Sequence, residues 1–162
     1  MSVQEHIFIH SPSAPEEVAE QLSAAMGMRL FTGRKGGIFV SRQARVGAPE
    51  KEVGGEVAQN YLADTLASPA EQSLLDGYEI LWDFGYAGRD RDIQLEEARL
   101  AFGELVSTAL WPTALVAGLD TLIAAWDPVL GLTWFPPDTT PDADSRKLWS
   151  GYFGRLTIPP SS

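Results

Sequence analysis

The sequence predicts an α+β fold: a mainly antiparallel sheet of four to six strands packed against an N-terminal helix and a C-terminal helix pair. Three observations carry this. Hairpin-linked strand segments cluster between residues 28 and 59, Tyr78–Phe84 alternates apolar and polar residues, and apolar residues recur at helical spacing over 16–26 and 92–126. Strands and helices are grouped rather than alternating, which sets the pattern apart from repeated βαβ units.

Residues 5–10, Glu-His-Ile-Phe-Ile-His, form the first expected strand, with Ile7 and Ile9 on one face and His6, Phe8 and His10 on the other. Ser13-Ala-Pro-Glu16 reads as a capping box with Pro15 in the first turn. The helix behind it places Val18, Leu22, Ala25 and Met26 on one face and ends at Gly27. Strands are expected at 28–33 and 37–46, joined by a turn at Gly33-Arg-Lys-Gly-Gly37. Another covers 52–59, where the pair Gly54-Gly55 signals a bulge or a close backbone approach. Helical turns are expected at 61–66 and 68–71.

Tyr78, Ile80, Trp82 and Phe84 share one face of the next strand. Leu95, Ala98, Phe102, Leu105, Val106 and Ala109 then mark a helix that Pro112 ends. Leu115, Val116, Leu119, Leu122, Ile123 and Trp126 are read as a second helix. The proline-rich remainder adds a strand near 130–135 and a short helix over 144–153. A single domain is expected over 1–158, with residues 159–162 as a tail.

The chain has 162 residues, enough to bury a core without disulfide or metal staples. It has no cysteine, which excludes disulfides, thiolate metal sites and a cysteine nucleophile. The net charge is −10, the wrong sign for a nucleic-acid binder working through bulk charge. The start lacks the basic residues and apolar run of a signal peptide. The longest apolar stretch, 109–126, is interrupted by Pro112, Gly118 and Asp120 and is too polar for a membrane span. A cytoplasmic protein with no membrane or nucleic-acid partner is expected.

Charge is segregated along the chain. Residues 28–49 carry five basic side chains (Arg29, Arg34, Lys35, Arg42, Arg45) and no acid. Residues 52–88 carry seven acids (Glu52, Glu56, Asp64, Glu71, Asp76, Glu79, Asp83) and no lysine or arginine. Such blocks either pair across neighbouring strands or form a bipolar surface that selects a charged partner.

The groups that carry chemistry in other proteins have a plain structural reading here. His6 and His10, the only histidines, stand four apart on a strand and so lie about 13 Å apart, too far to share one metal. The glycine-rich turn at 33–37 opens a strand, not a helix, unlike a phosphate-binding loop. Glu79 and Asp83, with Glu56 on a neighbouring strand, read as surface acids. Asp138, Asp142 and Asp144 lack the glycine and glutamate of a calcium loop and read as caps. Of the five tryptophans, Trp82 and Trp126 belong to apolar stripes, whereas Trp111, Trp134 and Trp149 sit at boundaries where an interface anchor is possible. No nucleophile elbow, dinucleotide fingerprint or zinc pair is present.

The opening strand, the Ser-Ala-Pro-Glu-Glu helix start, Glu52-Val-Gly-Gly-Glu-Val57, Tyr78-Glu-Ile-Leu-Trp-Asp83 and Phe135-Pro-Pro-Asp-Thr-Thr-Pro-Asp142 together resemble a group of small uncharacterised proteins of GC-rich bacteria. More distantly, the strand–helix–strands plan and the acidity are similar to immunity proteins of polymorphic toxin systems. That likeness implies an intracellular protein that covers a basic toxin, and it transfers no individual residue.

The expectation is therefore a non-enzymatic binding protein without a cofactor or metal. Its acidic surface, Glu79, Asp83, Asp90 and Asp92 with Trp134 as anchor, would hold a basic protein partner such as a toxin. An alternative is a ligand-binding or catalytic pocket between sheet and helices, built from His6, His10, Arg42 and Tyr78. A third is a homo-oligomeric module, a homodimer through an exposed strand edge or the aromatic tail.

Overall fold

A computed structural model describes residues 4–64 and 66–157. The expected tail at 159–162 lies outside the described residues. Among these residues eight strands run in chain order: β1 (Glu5–Ile9), β2 (Arg29–Thr32), β3 (Ile38–Gln43), β4 (Glu52–Gln59), β5 (Ile80–Tyr86), β6 (Thr113–Ala117), β7 (Thr121–Asp127) and β8 (Gly131–Trp134). Three helices accompany them: α1 (Pro15–Met26), α2 (Arg91–Thr108) and α3 (Arg146–Thr157).

All strands join one sheet in the order β2-β3-β4-β5-β1-β6-β7-β8, and every neighbouring pair is antiparallel. The α+β class is as expected, but eight strands replace the predicted four to six. The predicted C-terminal helix pair is also corrected. Its first member is α2. Its second, 112–126, is the β6–β7 hairpin, turning where Gly118 adopts φ 62°. Both faces of β6 are covered, so it reads as a continuous apolar run that fits a helical stripe as well as a strand. Thr113, Val116, Thr121 and Ile123 are β-branched and favour the extended state.

The sheet separates two cores. On the first face, α1 and α2 bury Ile7, Ile9, Val40, Val57, Trp82, Phe84 and Leu115 together with Val18, Leu22, Phe102 and Leu105. On the second face, α3 and a 3-10 turn at Leu74–Gly77 bury Phe8, Leu81, Ala114, Val116 and Ala125 with Leu74, Tyr78, Trp149 and Tyr152. Tyr78 therefore precedes β5 and packs on the face opposite Ile80, Trp82 and Phe84, not with them. Among the described residues no part of α3 or that turn joins β2–β4 in the second core, which leaves this half of the second face open among them.

Local signals explain several ends. The helix α1 starts at Pro15 with Ala14 as N-cap and without a side-chain cap, so the expected Ser13 capping box is absent. A capping box does occur at Ser73 and Asp76, which start the 3-10 turn. Residues 61–62 and 69–71 are turns rather than helix. Asp142 caps the short turn before α3 through the amide of Asp144. The β2–β3 turn closes as expected, with Gly33 N donating to Gly37 O at 2.7 Å. Gly54, at φ 121°, sits where a Cβ would collide with the Val40 carbonyl, and a Cβ on Gly55 would collide with that of Asp83. The close approach read from this glycine pair is real.

Candidate functional site

The registers of β1, β4 and β5 build one continuous group on the second face. His6 pairs with Asp83 across β1 and β5, and Glu56 follows on β4. The His6 ring is buried, with Nδ1 2.5 Å from Gly118 O and Nε2 3.2 Å from Asp83 Oδ1. Both nitrogens are thus engaged within the protein. No ring nitrogen is left to ligate a metal. Asp83 is further engaged from outside: the Tyr61 hydroxyl donates to its carboxylate at 3.3 Å. Tyr61 is 65% exposed. Its phenol is raised above the usual tyrosine range, first by partial desolvation, then by the charge and hydrogen bond of Asp83, and last by the charge of Glu56.

Beside this group the open half of the second face carries a shallow cavity of about 290 Å³. Phe39, Ser41, Glu52, Gly54 and Gly85 line it. Gly54 and Gly85 are paired across β4 and β5 at its floor, with the Gln4 side chain beside Gly85.

The remaining expected site residues are scattered. Glu79 lies at the start of β5, where its carboxylate meets His10 Nδ1 at 2.9 Å and accepts from Ser11 N at 2.8 Å. Asp90 is the N-cap of α2, accepting from the amides of Asp92 and Ile93, and Asp92 occupies the first turn. The length of β5, about 20 Å at the usual rise, separates Glu79 from the end where Asp90 and Asp92 stand. Trp134 is on the far edge strand β8 and on the first face, stacked edge-on against Phe102 at 5.9 Å. Only Asp83 of these five belongs to the cluster around Tyr61.

The alternative pocket residues do not converge either. His6 is in the cluster just described, and His10 is at the end of β1. Tyr78 is sealed in the second core, where burial, then the charges of Asp127 and Tyr152, push its phenol far up. Arg42 is on the first face, 8% exposed, with one terminal nitrogen 2.5 Å from Glu104. Arg45 pairs with the same carboxylate, and Arg29 pairs with Glu52 at 2.5 Å. The basic block is thus largely neutralised by acids of β4 and α2. Arg34 and Lys35 at the β2–β3 tip remain without an ion pair among the described residues.

Two further carboxylates are wholly buried, and both hold loops. Glu5 receives Arg91 at 2.9 Å, Gln94 at 2.5 Å and the amide of Gly118 at 3.2 Å. Glu97 accepts from three consecutive amides, Arg45 at 2.8 Å, Val46 at 2.8 Å and Gly47 at 2.9 Å. Such successive amides form an anion-binding concavity, here filled by the chain's own carboxylate.

Among the described residues no group of three or more histidine, aspartate or glutamate side chains is placed to hold a metal ion. No helix among them is long and apolar enough to cross a membrane. Comparison with family models, curated proteins and solved structures returns no match. Sequence reasoning missed Tyr61, Glu5 and Glu97 as organising residues. The absence of basic residues over 52–88 was the one available signal for the surroundings of Tyr61.

Proposed function

We propose that this chain is a non-enzymatic binding protein that docks a basic protein partner on the open second face. The observation that carries the reading is the exposed Tyr61 ring set against Asp83, with Glu56 near enough to raise its phenol further. An aromatic ring flanked by carboxylates suits an incoming lysine or arginine, which gains both charge pairing and ring stacking. The glycine-floored cavity beside it gives such a side chain room. The intended acidic surface is thus centred on Glu56, Tyr61 and Asp83. Trp134 lies on the other face, and Asp90 acts as a helix cap.

The partner class that fits best is a toxin whose substrate groove is cationic, with this protein acting in the cytoplasm as its immunity factor. The test is capture of partners from the native cells by the wild-type protein and by a Glu56→Lys/Tyr61→Ala variant. A stoichiometric basic partner, released by high salt and not captured by the variant, supports the reading. A partner held equally by the variant, or no partner, overturns it. Protection of cells against the captured protein on co-expression checks the immunity assignment.

A further inference from the structure

We infer that the β8 edge is a homodimer interface in which two copies pair antiparallel about Thr133. Phe135 N donates to Ile123 O at 2.9 Å, which fixes the phase of the β7–β8 ladder. Residues 131, 133 and 135 point their backbone groups inward to β7, so Leu132 and Trp134 point theirs outward. A two-fold axis at Thr133 sets Leu132 of one copy opposite Trp134 of the other, twice. All four outward N–H groups and carbonyls then find partners.

The side chains favour the same arrangement. Leu132 and Trp134 share the first face, and both are exposed, Trp134 at 48%. Beside Trp134, Val46, Glu96, Arg99 and Leu100 complete the wall of an open cavity of about 390 Å³. Val46 and Leu100 are exposed apolar groups, and Glu96 and Arg99 have no ion pair among the described residues. The patch therefore carries one positive and one negative rim charge around an apolar centre. A two-fold axis normal to the sheet keeps both first faces on one side and runs the two α2 helices antiparallel. The opposite rim charges of Glu96 and Arg99 then lie on the same side of the dimer in both copies. A surface complementary to itself in hydrogen bonding, apolarity and charge fits a second copy of this chain. The strand, four residues long, has no internal lysine or proline, two of the devices that block edge pairing.

Sedimentation across a concentration series, with hydrogen exchange of the full chain, tests the proposal. The expected result is a species of twice the 17.6 kDa chain mass, with the Leu132 and Trp134 amides protected only when it is populated. Leu132→Lys, at an exposed position, is expected to weaken association by at least about tenfold while circular dichroism stays unchanged. Glu96→Arg and Arg99→Glu each weaken it alone, and an equimolar mixture of the two regains it as a heterodimer. A chain that stays monomeric at every concentration overturns the proposal. So does a dimer indifferent to all three substitutions. These variants leave Glu56, Tyr61 and Asp83 untouched, so the partner-docking face is tested separately.

Discussion

Asp83 Oδ1 lies 3.2 Å from Nε2 of the buried His6, joining the middle strand of the sheet to the open face where Tyr61 is exposed. The same aspartate therefore serves stability from one side and presents charge from the other. Asp83→Ala leaves a buried ring nitrogen without its acceptor, at an expected cost of about 2 kcal/mol. Urea denaturation measures it, and an unshifted midpoint contradicts the pairing.

Glu97 ties the 45–47 segment to α2 through three amides, and its substitution by alanine orphans all of them. The expected loss is about 3 kcal/mol, given the desolvation cost of several unpaired groups. Hydrogen exchange at residues 45–47 is expected to accelerate before the rest of the chain responds. Unchanged exchange there shows that the carboxylate is dispensable.

The Tyr78 phenol is buried and held in its neutral form in the folded chain. Above pH of about 10 the unfolded chain releases this proton while the folded chain keeps it. Stability therefore falls as pH rises through that range, by about 1.4 kcal/mol per pH unit for this one group. Tyr78→Phe is expected to flatten the alkaline limb of the stability curve by that slope. An identical limb in the variant refutes the assignment. Tyr61 shifts in the same direction, and absorbance titration is expected to show its ionisation later than that of a free tyrosine.

Gly54→Ala places a Cβ against the Val40 carbonyl at a backbone angle that side chains rarely adopt. A loss of about 3 kcal/mol or more is expected from strain and displaced strands together. Thermal unfolding reads it directly, and a melting temperature within a degree of wild type contradicts the close approach of β3 and β4.

What could be read in advance depended on whether one face or two faces of an element are covered. The strand β5 was legible because Ile80, Trp82 and Phe84 alternate with residues of different chemistry. The helices α1 and α2 were legible because solvent keeps one side polar. Residues 113–127 were misread because α2 and α3 cover both faces of β6, which erases alternation and leaves an apolar run that either period fits. Gly118 was the informative residue there, and its turn was passed over as an interruption in a helix. For the site, Asp83 was found from charge. Tyr61 was not, because its contact with Asp83 depends on a turn that no periodic pattern announces. Asp90 and Asp92 carried the right charge and the wrong role, since a helix N-cap and a partner-facing acid look alike in sequence.

The position of β1 sets the order in which the molecule can be completed. Ile7 is paired on one side with Trp82 and on the other with Leu115. On a ribosome β1 emerges before either neighbour and receives its second only after β6 has followed. Until then one edge of a strand that is wholly buried in the finished fold stays unsatisfied. Closure of the sheet around β1 thus depends on contacts far apart in sequence, which makes folding slow and late truncations prone to aggregation.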